Sequence, residues 1–240
     1  MYQNTAIATD LSSKKPNTNS FLFILTRESF RFINLICYRR IKIHGQENLT
    51  KLPKDKGVII IANHVHKMDP WLIATAYRIA PIHFLAKKEL TEFFTQYHEC
   101  LVELVENEGK KPLVIHMIKA CGLALVTNLT VKYSLTLPVD RDNSRNHINK
   151  DSLEIAHDLL CQNRTIGIFP EGGIGRKSQI SKSPLRLAKG SNSVILPMFI
   201  SPRPSKWNKD DVWTITIGKP FNADGHNANT MMQEVYRLKP

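Results

Sequence analysis

The chain has 240 residues, 42% of them hydrophobic, which is enough for one sizeable domain with a proper core. Against 21 Asp and Glu stand 33 Lys and Arg, a formal charge of +12, so the candidate partners are polyanions: nucleic acid, an anionic membrane, or a phosphorylated substrate. No apolar run reaches the roughly 18 residues of a membrane-spanning helix, and no CxxC pair joins the four cysteines into a zinc or redox motif. Cys37, Cys100, Cys121 and Cys161 read as reduced, mostly buried thiols of a cytoplasm-like compartment.

Residues 1–19 are polar, lack the apolar core of a secretory signal, and read as a disordered leader. From residue 20 to the end the chain reads as one domain. Residues 20–40 place Leu22, Phe23, Leu25, Phe30, Ile33, Ile36 and Cys37 on a broad apolar face, with Arg27, Arg31, Arg39 and Arg40 beside or beyond it. That pattern predicts a basic amphipathic helix, packed on the core or lying in a membrane interface.

A short strand is expected over 41–46 and a turn over Pro53–Gly57. The β-branched run Val58–Ala62 predicts a strand buried on both faces. Pro70 opens a helix to about Ile79. Residues 88–126 read as mainly helical. Strands follow at 135–139, 165–169, 194–200 and 212–217. Helices are expected from Asp151 or Ser152 to Leu160, from the Ser183-Pro184 cap to Gly190, and over 227–238. This alternation predicts an α/β class with a largely parallel sheet.

Three segments carry chemistry. In the first, Asn63-His64-Val65-His66-Lys67-Met68-Asp69-Pro70, a buried strand runs into a short loop and a helix. Ligands of open α/β sheets bind beyond the carboxyl ends of strands, which is where His64 falls. Asp69 is placed to cap the helix and, if the loop folds back, to orient the His64 ring and stabilise its imidazolium. A metal pair made by His64 and His66 lacks a third ligand at a suitable spacing. In the second, Phe169-Pro170-Glu171-Gly172-Gly173-Ile174-Gly175-Arg176-Lys177, clustered glycines allow backbone N–H groups to turn toward an anion. In the third, Val139-Asp140-Arg141-Asp142, Arg141 either presents a planar fork to a phosphate or pairs with a neighbouring aspartate.

In this order, and followed by the apolar strand Ile195-Leu196-Pro197-Met198, the segments resemble the glycerolipid acyltransferase family, marked by Asn-His-x4-Asp, an Asp-Arg block, Phe-Pro-Glu-Gly and a strand with a central proline. Lys88-Glu89-Leu90 and Gly218-Lys219-Pro220-Phe221 are similar to the family's connectors. The resemblance spans roughly residues 40–222. It implies transfer of a fatty acyl group from acyl-CoA or acyl carrier protein to the hydroxyl of a lysolipid, in first place 1-acylglycerol-3-phosphate. His64 is then the general base and Asp69 its partner, with no metal and no resident cofactor. By the same resemblance Asn63, Arg141, Glu171, Gly172, Gly173, Arg176 and Pro197 bind substrate, Arg141 on the acceptor phosphate and Pro197 in the pocket wall.

The chain departs from the pattern in three places. Gly173 and Ile174 stand where the family has Thr-Arg-Ser, so that either Arg176 takes over the phosphate contact or the acceptor lacks that phosphate. Leu135 replaces a glycine before the Asp-Arg block. Residues 91–136 are long, implying an extra helix that covers the acyl tunnel or touches membrane. The alternatives are another acceptor, such as a lyso-ornithine lipid, lysophospholipid or glycolipid, and a non-catalytic basic membrane-surface protein. No nucleic-acid motif is present. The expected location is peripheral, on the cytoplasmic face of a membrane.

Overall fold

A computed structural model describes residues 24–25, 27–28, 41–66, 69–87, 93–108, 112–122, 136–139, 146–175, 180–201 and 212–240. The strands are β1 (Ile41–His44), β2 (Val58–Ala62), β3 (Ile82–Lys87), β4 (Leu137–Val139), β5 (Thr165–Ile168), β6 (Val194–Ile200) and β7 (Trp213–Ile217). The helices are α1 (Asp69–Ala76), α2 (Phe93–Glu108), α3 (113–122), α4 (Asn146–Cys161), α5 (Ser183–Ser191) and α6 (Ala228–Tyr236).

The strands form one sheet in the order β1-β7-β6-β2-β5-β3-β4. All pairings are parallel except β6 with β7, which is the expected α/β class. β2 lies between β5 and β6 and every one of its residues is buried, as its β-branched run requires. Its alternating side chains feed two cores. Val58, Ile60 and Ala62 pack with α1, β7 and Phe84; Ile59 and Ile61 pack with α4, α5 and α6. Trp71, Leu72 and Ile73 sink α1 deeply into the first core.

Pro197 stands inside a central strand, a position that normally needs an N–H donor. The neighbouring ladder explains its presence. Ile195 exchanges both backbone bonds with Phe221, whereas Pro197 only accepts, from Gly218 N–H at 2.8 Å. The missing donor therefore faces the bend after β7, where the partner strand has already ended.

Several boundaries differ from expectation. β3 was not foreseen, because Ile82-His83-Phe84-Leu85-Ala86-Lys87 has neither a β-branched run nor clean alternation, yet it fills the gap between β5 and β4. Of the stretch 88–126, expected to be mainly helical, the described residues form two helices, α2 and α3. α1 stops at Ala76, short of Ile79, and α4 starts at Asn146, before Asp151. α5 runs past Gly190, and Asn192 ends it in the left-handed region; its N-cap is Lys182, which makes no side-chain bond. Asn227 and Thr230 form a reciprocal capping box on α6. Cys100 is buried, but Cys121 and Cys161 are exposed. Of the amphipathic helix expected over 20–40, Ile24, Leu25, Arg27 and Glu28 are described and are helical; its other residues, Cys37 and the 1–19 leader lie outside the described residues.

Gly167 lets the ring of Phe84 lie on the sheet: a Cβ there would sit 2.5 Å from two Phe84 ring atoms. Replacing Gly167 with Ala should lower stability by about 1–3 kcal/mol through overpacking, measured as an earlier urea midpoint with an unchanged slope.

Candidate active site

The site stands beyond the carboxyl ends of β2 and β5. These strands pair in parallel, Val58 with Thr165 through Ile61 with Ile168, so both chains leave the sheet at one level. The histidine loop and the Phe-Pro-Glu-Gly turn, about a hundred residues apart in sequence, therefore meet. Phe169 stacks on the His64 ring, with centroids 4.3 Å apart and an interplanar angle of 21°. Phe84 stacks on the same phenylalanine at 6.2 Å.

His64 is fixed at ring and backbone. Its Nδ1 lies 2.8 Å from Asp69 Oδ2. Its N–H donates to Glu171 Oε2 at 2.9 Å, and its carbonyl accepts from Gly175 N–H at 3.0 Å. An ionised carboxylate only accepts, so Nδ1 carries the ring proton and Nε2 is the basic nitrogen. Nothing among the described residues hydrogen-bonds Nε2. The side chain is 16% exposed, which leaves that edge within reach of a ligand.

Asp69 is fully buried and does not cap α1. Its Oδ2 accepts from Val65 N–H at 2.7 Å and His66 N–H at 2.8 Å, besides the His64 ring. Both amides precede it in sequence, so the carboxylate closes the loop before the helix; the first helical amides are not its donors. The loop is closed from the other side by Asp69 N–H donating to His66 O at 3.0 Å. The His66 ring tilts against Trp213, with centroids 5.7 Å apart. No group of three or more His, Cys, Asp or Glu suited to a metal occurs among the described residues.

The remaining expected substrate residues divide. Glu171 is buried, and both its oxygens are occupied: Oε2 by His64 N–H and Oε1 by the Tyr236 hydroxyl. It holds the loop. Gly172 turns the chain at φ +70, a left-handed conformation that glycine adopts without strain, and its N–H donates to Phe169 O at 3.0 Å. Gly173 is half-buried beside it. Asn63 bonds both backbone groups of Ile200, with Nδ2 donating to O and Oδ1 accepting from N–H, each at 2.8 Å. Its amide thus continues the β2–β6 ladder past the end of β2. Pro197 pairs with Ile61, three residues and about 10 Å short of His64 along the strand, and packs against Gly218. Arg141 and Arg176 lie outside the described residues.

Phe169, Gly175 and Tyr236 were not foreseen in these roles. Phe169 was visible as part of its motif, but no local pattern announces a ring stack. Tyr236 reads in sequence as one more residue of a terminal helix.

Residues 40–104 match the family described as Acyltransferase. No curated protein sequence matches the chain. Among solved structures the chain is similar to the 1-acyl-sn-glycerophosphate acyltransferase PlsC from Thermotoga maritima, with a TM-score of 0.57 and 18% identity, covering 98% of this chain and 84% of that one.

Truncating Asn63 to Ala should cost about 2–3 kcal/mol, because it leaves both Ile200 backbone groups buried without partners. Below the melting transition the KM for the acceptor should stay at the wild-type value, checked by parallel denaturation and steady-state kinetics.

The match to the family described as Acyltransferase spans β2, the loop and both members of the His64–Asp69 pair, and the fold around them is shared with the PlsC structure.

Proposed function

We propose that the protein transfers a fatty acyl group from acyl-CoA or acyl carrier protein to the hydroxyl of a lysolipid, 1-acylglycerol-3-phosphate in first place. The observation that carries this reading is the pairing of His64 Nδ1 with a fully buried Asp69 carboxylate, leaving Nε2 open. Nε2 takes the proton of the acceptor hydroxyl as the oxygen attacks the thioester carbonyl. The tetrahedral intermediate collapses with cleavage of the C–S bond, and the imidazolium returns the proton to the departing thiolate. While His64 is charged it stands against the Asp69 carboxylate, so the proton is held where the leaving group needs it. General base catalysis supplies about 10²–10⁴-fold; positioning and oxyanion stabilisation supply the rest. The reaction draws on no metal and no resident cofactor, the acyl thioester being a co-substrate.

The 1-acylglycerol-3-phosphate acceptor is favoured by the likeness to PlsC from Thermotoga maritima, a 1-acyl-sn-glycerophosphate acyltransferase whose fold this chain shares. Arg141 and Arg176 are the side chains proposed to meet the acceptor phosphate.

A second set of observations favours work at an anionic membrane. α3 is turned inside out: His116 and Ala120 are its buried stripe, while Leu113, Val114, Ile115, Met117 and Ile118 are exposed, Val114 at 64% and Ile118 at 69%. Val102 and Val105 of α2 add to the exposed apolar surface. An apolar face on a chain of charge +12 suits shallow insertion among anionic headgroups, where the lysolipid resides. No described helix is long and apolar enough to cross a membrane.

His64→Ala should abolish acyl transfer and Asp69→Asn should lower kcat by about 10²-fold or more, with folding retained by circular dichroism. An assay of one labelled acyl donor against a panel of lysolipids, read by mass spectrometry, checks both variants and ranks the acceptors. Near wild-type turnover in His64→Ala would sink the reading. The double variant Val114→Glu, Ile118→Glu should leave turnover on detergent-dispersed acceptor intact and reduce co-sedimentation with anionic vesicles several-fold.

A further inference from the structure

We propose that Tyr236 is a positioning residue for acyl transfer, its hydroxyl anchoring Glu171 so that this carboxylate fixes the backbone of His64. The inference rests on His64 being the general base. Tyr236 is the last residue of α6, a helix anchored in the core by Met231, Met232 and Val235 and capped at its start by Asn227. Its hydroxyl donates to Glu171 Oε1, and the opposite oxygen of that carboxylate receives His64 N–H.

Glu171 is 6% exposed and has no cationic partner among the described residues. Two neutral donors hold a buried carboxylate in place, so losing either one frees the other contact to drift. Burial, and then the adjacent Glu171 carboxylate, push the Tyr236 hydroxyl well above the ordinary phenol value, so it stays a donor at any working pH. The chain of contacts passes from a core helix through a carboxylate to the amide of the histidine. Among the described residues Tyr236 makes no contact with the ring of His64. Its loss therefore acts on the orientation of Nε2, and shows in turnover ahead of substrate affinity.

The test uses the full chain with a defined acyl-CoA and 1-acylglycerol-3-phosphate. Tyr236→Phe should lower kcat by about tenfold through misalignment of the base, with KM for both substrates within about twofold. The double variant Tyr236→Phe, Glu171→Gln should be no slower than Glu171→Gln alone, because both break one tether. Met232→Ala, a truncation in the same helix, should lower the melting temperature and leave kcat within about twofold. Should Tyr236→Phe fail to fold, Glu171→Asp, which shortens the tether with Tyr236 intact, must show the same loss in kcat alone. Wild-type kcat in Tyr236→Phe, or in Glu171→Asp where that variant replaces it, overturns the proposal. So does a loss that multiplies with that of Glu171→Gln, or an equal loss in Met232→Ala. If His64→Ala is inactive and Tyr236→Phe is unimpaired, the tether alone is wrong; if His64→Ala is active, the reading of the site is wrong.

Discussion

One carboxylate oxygen, Oδ2 of Asp69, gathers three donors, two loop amides and the His64 ring, and the local structure is arranged to allow it. A carboxylate this deep is costly unless hydrogen bonds compensate it. The loop after β2 supplies them by folding back on the residue that starts α1. The same bonds set the direction of the imidazole, so the loop's stability and the ring's aim have one cause. Burial of Trp71, Leu72 and Ile73 holds α1 in the core and keeps Asp69 from rising toward solvent.

The second constraint is the register of β2 with β5. Because Ile61 lies opposite Ile168, Phe169 arrives beside His64 and Glu171 arrives at its amide. A slip of one residue would turn every side chain of β2 to the wrong core. The glycine at position 167 belongs to the same arrangement, since it admits Phe84 beneath Phe169. The chemistry at the strand ends thus inherits its accuracy from apolar packing several residues away.

Much of this was legible from residue types. The run Val58–Ala62 could only be an interior strand, and the loop carrying His64 had to lie beyond its end. Where structure departed from expectation, the deciding partners were remote in sequence. Asp69 has the residue type and neighbour of a helix cap, but the donors it meets belong to a loop whose path local pattern does not specify. Asn63 was expected at the substrate by family resemblance; its amide completes a ladder with Ile200, a partner that local pattern does not specify. β3 escaped notice because its sequence is ordinary and its place in the sheet is set by β4 and β5. Glu171 carried the right motif, yet its use as a strut depends on Tyr236, which no spacing connects to it.

The contacts that finish the site are unusually long in chain terms: 107 residues separate His64 from Glu171, 137 separate Asn63 from Ile200, and 65 separate Glu171 from Tyr236. Each closes a large loop and contributes only after the sheet around it has assembled. The local Asp69 bonds aim the ring, and the distant contacts fix the backbone that carries it. Activity therefore reports on the assembled sheet and the docked C-terminal helix together, since the contacts that complete the site join segments far apart in sequence.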